Sequence, residues 1–250
     1  MGTLPVLLLA LGILGLGFWA TQSVTTKHFH PGSATNEAAP TPLIASTNQT
    51  PGREDFALFL SRQTDAASLV NAGADFLNEK EFAKAILCYQ RALELNPDDE
   101  ETHFNLGFAF SKADRLEEAA AEYRKALKIF PEYAEAHINL GNVLTRQRQY
   151  EDAIKEYTTA LQLQPESASG RSNLGKAMAL QGRTSEALTN FLEAVRLNPT
   201  YVDAHFNLGA AYFALQQTNE AVRELKETLR LNPSFPQALQ LLERMTGNSR

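Results

Sequence analysis

Asparagine stands at Asn71, Asn105, Asn139, Asn173 and Asn207, each 34 residues after the last. A side-chain amide offers one acceptor and two donors, the complement of a peptide backbone. Amides repeated at a fixed interval are therefore suited to gripping the main chain of an extended segment. Asparagine is a mediocre helix former whose amide wants partners. That leaves two readings of the column: rungs for a bound chain, or caps and bridges between neighbouring turns.

Two positions ahead of the amides run Leu69, His103, His137, Arg171 and His205. Three histidines in register suggest a metal or a pH switch. Units a helix diameter apart, however, hold successive imidazoles too far apart to share bonds near 2 Å, so these side chains read as packing or groove-wall residues. His28 and His30 form a poor metal pair in a stretch with no fold to hold them. The single cysteine, Cys88, excludes an intramolecular disulfide framework and a multi-thiolate zinc site, and reads as a small packing residue. No metal or cofactor is expected.

The elements that position these side chains follow from the prolines. Pro97, Pro131, Pro165, Pro199 and Pro233 recur at the same 34-residue interval without insertion or deletion. They divide the chain into units 66–99, 100–133, 134–167, 168–201 and 202–235. A period of this size marks a supersecondary unit that cannot bury its apolar face alone and must stack on its neighbours. Within a unit, Leu106, Phe110 and Ala113 recur at helical spacing, as do Leu116, Ala119, Ala120, Tyr123 and Leu127. Each unit is thus two amphipathic helices, and proline ends the second. Gly73, Gly107, Gly141, Gly175 and Gly209, with Ala85, Ala119, Ala153, Ala187 and Ala221, read as points where helix backbones approach closely. Tyr89, Tyr123, Tyr157, Phe191 and Leu225 fill the flanks.

These columns resemble the tetratricopeptide repeat over 170 of 250 residues. The resemblance implies an all-α fold: a right-handed superhelix of five helix pairs with capping helices. The His-Phe-Asn-Leu-Gly and His-Ile-Asn-Leu-Gly segments are similar to repeats of the O-linked N-acetylglucosamine transferase superhelix, whose first helices line a concave wall and whose asparagines grip peptide main chain. No transferase domain accompanies them here. The similarity implies peptide binding by Asn71, Asn105, Asn139, Asn173 and Asn207. Another subclass of the family clamps a C-terminal carboxylate through Lys and Asn. Asn142 and Asn173 match that pattern, but Ile138 and Asp203 stand where lysines belong. Glu101, Glu135 and Asp203 would repel a carboxylate, whereas Phe104, Ile138 and Phe206 add apolar grip. The expected partner is a protein or peptide segment, neutral to basic, with apolar side chains.

Residues 4–20, LPVLLLALGILGLGFWA, carry no charge and end near Trp19. They approach the span of a bilayer's hydrocarbon core at the short limit, so an N-terminal hydrophobic helix is expected over 1–20, as a single-pass anchor or an uncleaved signal. A cleaved signal peptide competes, but no basic residue precedes the apolar run and no clear pair of small residues closes it. Lys27 and Arg53 place the array on the cytoplasmic side under the positive-inside tendency. Residues 21–54, rich in Thr, Ser, Ala, Asn, Pro and Gly, read as a disordered linker. A lead-in helix over 55–65 carries Phe56, Phe59 and Leu60 on one face. A last helix over 236–246 opens on Pro236 and stops at Gly247. Its Ala238, Leu239, Leu242 and Met245 are expected to cover the fifth unit while Gln237, Gln240, Glu243 and Arg244 face water.

The net charge of −6, with only the fourth unit net basic, argues against nucleic acid. No glycine-rich loop, His-Glu helix motif or spare fold houses a reaction. The expectation is a membrane-tethered, non-catalytic interaction scaffold, serving assembly or maturation of a membrane complex. The alternative is a structural array that self-associates with its groove empty.

Overall fold

Proline, glycine and the left-handed backbone region punctuate twelve helices in the computed structural model, which describes residues 53–247 of the chain. The lead-in helix is α1 (Arg53–Arg62). The helix pairs are α2 (Ala66–Asn78) with α3 (Phe82–Leu95), α4 (Glu100–Lys112) with α5 (Leu116–Ile129), and α6 (Ala134–Arg146) with α7 (Tyr150–Leu163). They continue with α8 (Ala168–Leu180) and α9 (Thr184–Leu197), then α10 (Val202–Ala214) and α11 (Thr218–Leu231), before the last helix, α12 (Pro236–Thr246). No strand occurs among the described residues. Among them no helix is long and apolar enough to cross a membrane. The anchor expected over 4–20, the His28–His30 pair and the linker up to residue 52 lie outside the described residues.

Each first helix closes in the same way. In the second unit Arg115 N–H reaches back to the Phe110 carbonyl at 2.9 Å, and Asp114 N–H to that of Ser111 at 3.3 Å. These are the two bonds that satisfy orphan carbonyls when the next residue turns left-handed. The residue that turns is Lys80, Asp114, Arg148, Gly182 or Gln216, with φ between 61 and 88°. Only one of the five is glycine. Second helices end instead on an extended residue ahead of proline, as at Phe130 (φ −125°) before Pro131. Side-chain caps start only some first helices: Asp65 accepts from Ser68 N–H, Asp99 from Thr102 N–H, and Ser167 from Gly170 N–H.

The glycine column meets the aromatic column inside each pair. A Cβ on Gly73 or Gly141 would lie 2.7 Å from the ring of Tyr89 or Tyr157, and one on Gly175 2.7 Å from that of Phe191. Alanines 85, 119, 153, 187 and 221 are fully buried beside them. Each large side chain so buried contributes about 2–3 kcal/mol, and the glycine is what admits it.

Every second helix packs on its own first helix and on the helix that follows it, the next unit's first helix or, at the end, α12. Successive first helices, α2, α4, α6, α8 and α10, also touch one another, whereas successive second helices do so less. The first helices therefore form the tighter, inner wall of a curved stack. At its front, Phe56 of α1 sets its ring edge-on to Phe76 at 5.3 Å, and the Lys84 ammonium sits 5.4 Å from the Phe76 ring. At its back, α12 departs from expectation. Leu241 is buried and Leu239 exposed, so the covering face is Ala238, Leu241, Leu242 and Met245, the i, i+3, i+4, i+7 set that one helix face requires. Gln237 does not simply face water either, since its amide oxygen is buried. Gly247 stops the helix at φ 73°.

Candidate ligand groove

The five asparagines all lie on first helices, but they are not equivalent. Asn71 is exposed, Asn105 and Asn139 are half-buried, and none of the three side chains makes a hydrogen bond among the described residues. Asn173 donates its Nδ2 to Asn142 Oδ1 at 3.1 Å across the joint between the third and fourth units. Tyr157 donates its hydroxyl to the same Oδ1 at 2.7 Å. Asn207 is buried and donates to Ser172 Oγ at 3.2 Å. Ser172 occupies the place that other units give to Phe104, Ile138 or Phe206, and its small hydroxyl is what lets Asn207 reach across. The ladder is thus open over three units and closed by side-chain bridges over the last two.

The apolar residues divide likewise. Phe104 and Ile138 are partly exposed, and Phe104 packs its ring 4.9 Å from Tyr133 and 5.7 Å from Tyr123. Phe206, expected to line the groove, is instead 2 % exposed, its ring tilted against that of Phe235 at 5.0 Å and clustered with Ala238 and Leu241 of the last helix. The end cap claims it as core. Glu101, Glu135 and Asp203 stand at the entrance to the first helices of the second, third and fifth units. Burial raises the Asp203 carboxyl above the usual carboxylate range, partly offset by Lys176 on the preceding first helix. Desolvation in turn lowers the Lys176 ammonium, with Asp203 opposing.

The histidine column is a set of joints. His103 Nδ1 lies 2.6 Å from Glu122 Oε2 and its Nε2 3.0 Å from the Pro97 carbonyl. His137 repeats this with Glu156 (2.6 Å) and Pro131 (3.0 Å), and His205 with Glu224 (2.8 Å) and Pro199 (3.0 Å). Each ring ties its own second helix to the proline turn of the unit before. The Glu156 carboxylate, and then the Pro131 carbonyl, raise the His137 pKa above its ordinary value, with burial opposing. Where histidine is missing its glutamate is missing too: Leu69 goes with Cys88, and Arg171 with Asn190. Cys88 is fully buried, and burial pushes its thiol up to about 11, too high for a nucleophile. The signal for the pairing, two columns 19 residues apart that change together, was present in the repeats themselves.

Comparison with known proteins agrees with this architecture. The family model described as "TPR repeat" matches residues 73–114, 112–147, 141–182 and 179–216, and that described as "Tetratricopeptide repeat" matches 202–235. No curated protein matches the sequence. Among solved structures, the chain is similar to YrrB, described as a TPR protein with an unusual peptide-binding site. The identity is 24%, over 74% of this chain and 96% of that one, with a TM-score of 0.59. It is also similar to MamA from Desulfovibrio magneticus RS-1 (20% identity, 69% and 98% covered, TM-score 0.64). A third is TTC0263, a thermophilic TPR protein of Thermus thermophilus (18%, 72% and 98%, TM-score 0.59). At these identities the likeness is one of fold.

Proposed function

The chain belongs to the tetratricopeptide repeat family, and from that premise we propose that it is a non-catalytic scaffold that binds a peptide segment or partner protein along the inner wall of its first helices. The observation that carries this reading is the row Asn71, Asn105 and Asn139, whose amides have no partner among the described residues. Phe104 and Ile138, one residue ahead of two of them, supply apolar contact. The unusual peptide-binding site described for YrrB supports the same use of the fold. Glu101 and Glu135 favour a neutral to basic partner, and an acidic chain argues against nucleic acid. Residues 4–20 would tether the scaffold to a bilayer, with the array on the cytoplasmic side, near the membrane complex whose assembly or maturation it serves.

Site-specific photo-crosslinking tests this in the full-length protein. A photoreactive residue at Phe104 should capture the partner and one at the exposed Leu192 should not. Capture from Leu192 alone would overturn the groove reading.

One observation favours a second reading, self-association with the groove empty. Leu95, Ile129, Phe130 and Leu163 stand exposed at the ends of successive second helices. In that case light scattering shows a partner-free oligomer that dissociates when Ile129 and Phe130 are replaced by Ser.

A further inference from the structure

Three open amides on consecutive first helices set a ruler as well as a surface. Packed helix axes lie about 8–10 Å apart, and successive first helices touch one another, so a spacing of that order is expected between Asn71, Asn105 and Asn139 along the wall. A β-strand returns the same face every two residues, about 6.7 Å, and after three residues presents the opposite face. A polyproline-II helix returns the same face every three residues, about 9.3 Å. Only the latter offers an identical backbone group and an identical side-chain direction to each unit.

Resting on the groove reading above, we infer that the ligand of this protein is a polyproline-II segment with basic residues three apart facing the second and third units, bound across the first three units and not the last two. Two further observations point the same way. The partly exposed Phe104 ring, 4.9 Å from Tyr133, gives the wall the aromatic lining that such segments use. Glu101 and Glu135 repeat at the same 34-residue interval on exposed first turns, so they meet basic side chains three residues apart in the ligand. The cations of these first helices are engaged at the far end: Lys112 lies 4.9 Å from the Phe108 ring, and Arg146 pairs with Asp114. Beyond the third unit the register ends. Asn173 is held by Asn142, Asn207 is buried on Ser172, and the second position of the fourth unit is Ser169.

Calorimetric titration of the full-length protein with twelve-residue probes, acetylated and amidated, tests this. A peptide repeating Lys-Pro-Pro should bind about tenfold tighter than one repeating Lys-Gly-Ser, which has the same charge but no preformed conformation. One repeating Glu-Pro-Pro should bind weakest. Asn105→Ala and Asn139→Ala should each weaken the Lys-Pro-Pro peptide about three- to tenfold, and Asn173→Ala less than about twofold. Equal binding of the Lys-Pro-Pro and Lys-Gly-Ser peptides by the unaltered protein overturns the inference, as does no detectable binding, or a loss at Asn173 matching that at Asn105. None of these results touches the groove reading, which stands or falls on crosslinking from Phe104.

Discussion

His137 holds Glu156 at 2.6 Å through one ring nitrogen and the carbonyl of Pro131 at 3.0 Å through the other. Both neighbours accept, so the ring serves both only with a hydrogen on each nitrogen. Its pKa is raised above the ordinary 6.5, chiefly by the Glu156 carboxylate. A raised folded-state value means that the protonated clamp stabilises fully below about pH 6.5, and that this contribution is lost as pH rises through the folded pKa. Urea unfolding should therefore show stability falling as the pH rises above about 6.5. Glu156→Gln should cost about 1–2 kcal/mol at pH 6 and flatten that dependence. An unchanged slope in the variant would refute the assignment.

The fourth unit lacks this clamp, and Arg171 leaves its Nε buried there without a hydrogen-bond partner among the described residues. Arg171→His with Asn190→Glu restores the pair found in three other units. The double variant should be more stable than the sum of the single changes by about 1 kcal/mol. Additive effects in the double-mutant cycle would show that the two introduced side chains do not pair in the fourth unit.

Gly141→Ala puts a Cβ 2.7 Å from the Tyr157 ring, whereas at Gly209 the nearest atoms, 3.1 Å away, belong to the flexible Leu225 side chain. The first change should cost about 1–3 kcal/mol in thermal or urea unfolding and the second clearly less. Equal losses would mean that helix propensity, and not the aromatic contact, governs the column.

Left-handed turns separate the two helices of each pair, and four of the five carry a side chain. Arg148 (φ 61°) has the strain that Gly182 (φ 88°) avoids. Arg148→Gly should stabilise, while Gly182→Ala should destabilise by about 1 kcal/mol. Calorimetric melting temperatures of the two variants should move in opposite directions.

The repeat length, the helix pairs and the glycine–alanine–aromatic joints were legible because the same residue types recur in five copies, and packing demands those types. The left-handed column was not, because Lys80, Asp114, Arg148 and Gln216 share no chemistry. Backbone geometry alone groups them. Nor could the asparagine column reveal which rungs are open. That depends on Asn142 and Ser172, single departures at neighbouring positions whose reach across a joint emerges only once units are stacked. Phe206 looked like Phe104 in sequence but differs because the last helix lies over it. Leu241, and not Leu239, could have been placed on the covering face, since helical phase counted from Ala238 selects it.

Asn105 and Asn139, in the proposed reading, serve a ligand and not the fold. The unfolding free energy of Asn105→Ala/Asn139→Ala in urea, without ligand, tests it most directly. Two amides with no partner among the described residues should leave stability within about 0.5 kcal/mol of the unaltered protein. A loss of about 2 kcal/mol or more, as expected if both amides bridged the stack, would contradict the account.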